Sequence, residues 1–248
     1  MLALISLLAL FAQAPPGRGA PLRTPKQAAP VDFTGYWVAV ITEDWKYRML
    51  AANKGDYEGL PLKPSARNAA NTWDPAKNPP AAEDCRNFGA ANLMRQPGRL
   101  HITWQDDQTL KVEMDAGQQT RLFYFGEPKS AGGDWQGVSR ASWDYLPGAV
   151  VDTLAFNRGA ATLSGGALKV VTTNLKPGYL RKNGVPYSDK AVLTEYFDRV
   201  FEPSGDSFII LTSTLEDPTY LTGPYMISTH FKKQADAAGW NPTPCTAR

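Results

Sequence analysis

The sequence is poor in the residues that carry most enzyme chemistry. Two histidines and two cysteines are all that 248 residues hold. The cysteines form no CxxC pair and neither lies close to a histidine, which argues against a zinc site. His101 and His230 are far apart in the chain, so no His-x-His spacing points to another metal. The glycine loops that cradle phosphates are missing, and no cofactor is assigned. Charge of one sign is lacking too: 26 basic residues face 24 acidic ones, a net charge of +2. Arg18, Arg23 and Lys26 precede Val31, where no acid stands, so the rest of the chain carries 23 basic and 24 acidic residues. A body so near neutrality has no electrostatic footprint for nucleic acid or an anionic membrane surface. No heptad, internal repeat or apolar run of the roughly 20 residues a spanning helix needs is present.

What is there is aromatic and periodic. Seven Trp, ten Tyr and ten Phe accompany short segments with a period of two. Leu2 to Ala14 is apolar apart from Ser6 and Gln13 and ends in the small-x-small pattern Ala12-Gln13-Ala14, which reads as a signal peptide over 1–14. No Lys or Arg precedes that run and Pro15 follows it; a buried N-terminal element is the competing reading. Residues 15–30 hold five prolines and read as an extended linker, leaving 31–248 as one β-barrel domain. Export to the periplasm or medium makes Cys85 and Cys245 a disulfide pair, whose long loop is worth about 5 kcal/mol in the chain-entropy model. Once a signal is removed, nothing predicts stable membrane insertion.

Nine strands are predicted. Phe33 to Thr42 is the first, and RLHITWQ, QTLKVEMD and QTRLFYFG follow as a meander. Leu100, Ile102 and Trp104 oppose His101 and Thr103; Leu122 and Tyr124 oppose Arg121, Phe123 and Phe125. Further strands cover Trp135 to Trp143, Leu168 to Leu175, Ala191 to Phe201, Phe208 to Leu215 and Tyr225 to Lys232. Short helices are expected from Ser65 and between Ala81 and Met94. The fold class is all-β, an antiparallel barrel of about eight to nine strands with one or two short helices.

Gly35-Tyr36-Trp37 in the first strand of such a meander resembles the lipocalin or calycin signature. The resemblance implies that the Trp plugs one end of the barrel and that the other end admits a small ligand. WQGVSRASWD, LKVVTTNLKPGYLRKNGVPYSDKAVLTEYFDR and LEDPTYLTGPY, within Trp135 to Lys232, are similar to elements of a group of secreted bacterial β-proteins. That similarity implies a fold and no catalytic residues.

Two classes of function follow. The first is a binding protein for a small apolar or aromatic molecule, with Arg121, Asn174, Trp104 and Tyr124 as ligand-binding candidates. The second is a cofactor-independent lyase, isomerase or hydrolase. Its acid–base groups would be His101 and His230, with Glu195, Tyr196 and Asp198 from a strand on which charge falls on both faces. One face of that strand must be buried, so either Glu195 with Arg199 or Tyr196 with Asp198 enters an apolar setting. Asp44, Trp45, Tyr47 and Arg48 would lie at one end of the barrel, as a rim for an aromatic or carboxylate-bearing ligand or as a solvated loop around one buried Trp. A filled barrel with a purely structural role is the third reading. Ser139, Asp198 and His230 stand in a hydrolase order, but no helix is predicted after Ser139, so a nucleophile elbow is rejected.

Overall fold

The computed structural model describes residues 23–74, 81–145 and 166–245. The signal-peptide reading over 1–14 and the first part of the linker lie outside them. Nine strands close a barrel: β1 (Gly35–Val40), β2 (Arg99–Asp106), β3 (Thr109–Met114), β5 (Gln119–Tyr124), β6 (Val138–Tyr145), β7 (Gly166–Thr173), β10 (Val192–Phe201), β11 (Ser207–Glu216) and β12 (Tyr225–Lys233). The two-residue β4 (Ala116–Gly117) turns β3 into β5 and pairs with β13 (Thr243–Pro244), while β8 (Gly178–Arg181) and β9 (Val185–Tyr187) form a separate hairpin. Order around the ring follows order in the chain. The pairing departs from the expected antiparallel meander once: β5 and β6 run parallel, through Phe123 opposite Ser139 and Tyr124 opposite Arg140.

Alternation in the strands sends one face inward. Trp37, Leu100, Ile102, Val112, Phe123, Leu168, Val170, Phe197, Ile209, Leu211 and Phe231 are buried in one cluster. At one end, residues 23–33 lie across the barrel: Trp143 Nε1 donates to the Pro25 carbonyl at 2.8 Å and Tyr145 Oη to that of Ala28 at 3.1 Å. The later part of the proline-rich segment is therefore docked rather than freely extended. Trp37 is fully buried near this end, with Nε1 on the Phe33 carbonyl at 2.9 Å and the Lys233 ammonium 4.5 Å from its ring. Gly35 has φ +105°, and a Cβ there would meet Lys233 Nζ at 2.5 Å. The Gly-x-Trp pattern thus buries its Trp near the closed end, consistent with a lipocalin-like barrel.

The other end, the mouth, is covered. Residues between β1 and β2 form α1 (Trp45–Met49), α2 (Pro64–Thr72), a 3-10 helix (Ala81–Phe88) and α3 (Ala90–Leu93). Pro64 opens α2, where its missing N–H costs nothing, and Ala66 and Ala70 on one face are fully buried. Phe88, Leu93 and Met94 join the barrel's own core. A second cluster, including Tyr57, Leu60, Leu180, Val185, Tyr187, Leu193, Leu215 and Tyr225, glues cap and hairpin to the rim. Cys85 and Cys245 form the expected disulfide, tying the cap to the C-terminal tail. No helix of the described residues is long and apolar enough to cross a membrane.

Candidate functional site

Inside the barrel, below the cap, lies a sealed polar layer. Arg121 on β5 meets Glu195 on β10 in a two-pronged ion pair, Nη1 to Oε1 at 3.0 Å and Nη2 to Oε2 at 2.6 Å. Arg121 Nη2 also donates to Thr172 Oγ1 at 3.0 Å and to Ser139 Oγ at 3.4 Å, and the two hydroxyls lie 2.8 Å apart. All four residues are buried. Glu195 is therefore the inward member of its strand, and its partner is Arg121 across the interior rather than Arg199. Arg199 instead donates to Ser207 Oγ at 2.9 Å and to the Asp32 carbonyl. A fork-to-fork pair with further hydroxyl acceptors is how a buried charge pair offsets its desolvation.

The remaining expected site residues do not gather around that layer. His101 is half-buried on the outer wall, stacked on Tyr36 at 4.2 Å and 3.2 Å from Glu113. His230 lies on β12; with β1 between their strands, the two backbone positions are about 17 Å apart by strand spacing and rise, too far for the imidazoles to act on one group. Tyr196 faces outward beneath Lys169, whose ammonium is 5.5 Å from the ring. Asp198 is exposed, and burial of its surroundings together with Asp144 raises its pKa. Trp104 packs with Phe125 and Trp143 at the closed end. Tyr124 is buried at the foot of β5 beside a surface cavity lined also by Asp106 and Lys129. Asn174 is exposed, left-handed at φ +54°, and bound to the Ala131 carbonyl.

Open space lies on the flank of the mouth. A cleft of about 410 Å³ is lined by Glu43, Asp44, Tyr47, Glu58, Arg181 and Tyr225, with Gly59 and residues 226–228 completing it. A neighbouring cavity of about 720 Å³ shares Glu58, Gly59, Tyr225 and Met226. The rim cluster Asp44, Trp45, Tyr47 and Arg48 belongs to this wall, but with its buried member exchanged: Trp45 is 60 % exposed and Arg48 is 2 % exposed. Asp44 takes the left-handed conformation at φ 52° where β1 gives way to α1, a place where backbone strain concentrates at binding sites.

Buried arginines fix this wall. Arg48 ion-pairs with Glu43 and donates from Nε to the Arg95 carbonyl at 3.0 Å; burial lowers its pKa, against the pull of Glu43. Arg95 ion-pairs with Asp44 and donates to the Tyr225 hydroxyl. Arg181, from β8, lies 3.7 Å from the centre of the Tyr47 ring and donates from Nη2 to the Glu58 carbonyl at 2.8 Å. Tyr47 is held in turn by Asp56, which accepts its hydroxyl proton at 2.8 Å and pairs with Lys46 at 2.7 Å. The Lys46 ammonium, then the Tyr47 hydroxyl, lowers the Asp56 pKa. Asn183 donates to the Asn53 and Asp56 carbonyls at 3.1 and 3.0 Å, pinning the loop that forms the far wall.

His230 borders the same cleft. Its Nδ1 lies 3.3 Å from Glu43 Oε2 and its Nε2 3.4 Å from the hydroxyl of Ser228, which lines the cleft. An imidazole between a carboxylate and a hydroxyl is the arrangement that orients a general base towards a nucleophile. Sequence reasoning named His230 but not these partners. It named none of Arg95, Arg181 and Tyr225 as a site residue: the two arginines stand in segments with no periodicity to mark them, and Tyr225 only opens a predicted strand.

Among the described residues, no group of three or more His, Cys, Asp or Glu side chains is arranged to hold a metal ion. Comparison of this chain with protein-family models, with curated proteins and with solved structures found no match.

Proposed function

We propose that the protein is an exported barrel that binds a small aromatic or apolar molecule, and that the molecule sits in the cleft on the flank of the mouth. The observation that carries this reading is the cleft wall itself. Tyr47, Tyr225, Met226 and Ile227 offer ring and apolar surface beside a few polar groups, of which Glu43 and Asp44 are held from behind by buried arginines and Tyr47 stacks on a third. A largely preformed concave site with few, well-placed polar groups is what a small-molecule pocket needs. The interior does not offer one, because its side chains pack on one another and the cap adds Phe88, Leu93 and Met94. The disulfide supports an oxidising compartment, and with the apolar leader it supports export.

A hydrolase is the second reading, favoured by the Glu43–His230–Ser228 arrangement at the edge of the same cleft. Both are tested by adding the neutral probe 4-hydroxyphenylacetamide to 15N-labelled protein, then 4-nitrophenyl acetate to wild type and Ser228→Ala. Binding predicts shifts confined to Tyr47, Glu58, Arg181, Tyr225 and Ser228. Shifts centred on Phe123 and Phe197, or none with this amide and none with the corresponding acid, would overturn the cleft assignment. Release of 4-nitrophenolate that disappears with Ser228→Ala supports the hydrolase; equal rates in both proteins remove it.

A further inference from the structure

Arg181 is out of balance with its surroundings. It is 3 % exposed, yet of its three guanidinium nitrogens only Nη2 has a partner, the Glu58 carbonyl. Nε and Nη1 are buried and make no hydrogen bond. A guanidinium has five N–H donors and cannot lose its charge, so it cannot escape the cost by deprotonating. The neighbouring acids are already engaged. Glu43 pairs with Arg48 and His230, Asp44 with Arg95, and Asp56 with Lys46 and Tyr47. The Glu58 side chain is exposed and lies 3.5 Å from the Tyr47 hydroxyl. Tyr47 covers the face of the Arg181 guanidinium, so only its edge remains for a further partner. That residue lines the cleft.

We infer that Arg181 is the anchor for a carboxylate on the bound molecule, so that the ligand is an aromatic or apolar carboxylic acid rather than a neutral compound. This rests on the cleft being the binding site. The carboxylate takes the unpartnered Nε and Nη1 donors, while the ring or chain of the ligand lies along Tyr47, Tyr225 and Met226. Both donors are buried, so the acid reaches them only if the Tyr47 ring shifts across the guanidinium. The wall carries the carboxylates of Glu43, Asp44 and Glu58, yet none of them takes Nε or Nη1, which leaves both donors for the ligand. A neutral amide offers these donors one acceptor oxygen and no charge; a carboxylate offers two oxygens and the counter-charge.

The test uses two probes of the same shape, 4-hydroxyphenylacetate and 4-hydroxyphenylacetamide, of which only the acid carries a charge and a second acceptor oxygen. Both are titrated into wild type, Arg181→Lys and Arg181→Gln with calorimetry and 15N spectra. Wild type should bind the acid at least about tenfold more tightly than the amide, the ratio expected of a charge-assisted hydrogen bond. The ratio should fall to about one in Arg181→Gln and lie between in Arg181→Lys, which keeps the charge but loses the planar edge. The Arg181 Nε–H resonance of wild type should move further with the acid than with the amide, a readout that stands even where a variant fails to fold. Equal affinities with shifts at the cleft would overturn the carboxylate anchor and leave the binding site standing. No shift with either probe would overturn the site, and the anchor with it. Inorganic phosphate displacing the acid at equal concentration would overturn the carboxylate assignment in favour of a general anion site.

Discussion

Arg121 and Arg181 are both withdrawn from water, at 1 % and 3 % exposure, but they stand in opposite circumstances. Arg121 lies inside the barrel with a carboxylate filling its fork and two hydroxyls beside it, and Nε is its one donor without a partner. Arg181 lies at the mouth with a carbonyl, an aromatic face and two idle donors, and a cleft opens next to it. Burial alone does not distinguish structure from function here. The distinction lies in what is left over after the local partners are satisfied. Arg121 keeps one unpartnered donor, Nε, but has its counter-charge in Glu195; Arg181 keeps two, Nε and Nη1, and has no carboxylate on its fork.

The comparison breaks most easily from the inside. Glu195→Ala leaves Arg121 buried without its counter-charge and should cost about 3–5 kcal/mol of stability in urea unfolding. Arg121→Met combined with Glu195→Leu should recover most of that loss, since a buried pair is often replaceable by apolar side chains of similar size. A double variant as unstable as the single one would show that the interior pair is not a closed unit. At the mouth the same operation should be milder. Asp44→Asn keeps a residue tolerant of the left-handed backbone and removes the charge facing Arg95, whose hydrogen bond to Tyr225 survives. The Asp44 side chain is 30 % exposed, so a loss of about 1–2 kcal/mol is expected, read by the same unfolding curves. A loss equal to that of Glu195→Ala would erase the contrast.

The smallest effect is expected where both partners face solvent. Asp106 is held down to about 2 by its hydrogen bond with Lys129 at 2.8 Å, then by the Gln108 backbone N–H. A carboxylate lowered in the folded state adds stability above its unfolded pKa and loses it as pH falls through the folded value, here towards pH 2. Lys129→Met should return Asp106 towards the ordinary carboxylate range in a carboxyl-carbon NMR titration, with the shift shrinking as salt is added. An Asp106 pKa unmoved by the substitution would remove Lys129 as its cause.

Much of the fold was legible because sheet periodicity is local. Leu100 and Ile102 on β2, and Phe123 beside Arg121 on β5, alternate as the barrel requires, and the ladders follow. The hairpin of β8 and β9 was not legible: four and three residues interrupted by Gly178 and Pro186 carry no alternation. Nor was α1, which is five residues long and buries only Arg48. The site was harder still. That Glu195 goes inward was one of two open choices, and its partner lies 74 residues earlier in the chain. Arg48, Arg95 and Arg181 converge only because the cap folds back over the rim; each alone looks like a solvated charge.

The one parallel contact has a consequence of pure counting. A ring of strands in which every neighbour reverses direction is possible only when their number is even. With nine strands in chain order around the barrel, one joint must break the rule, as an odd cycle cannot be painted in two alternating colours. The mismatch is confined to β5 and β6, where two residue pairs stand in for a full ladder. Eight strands or ten would close without such a seam; nine cannot.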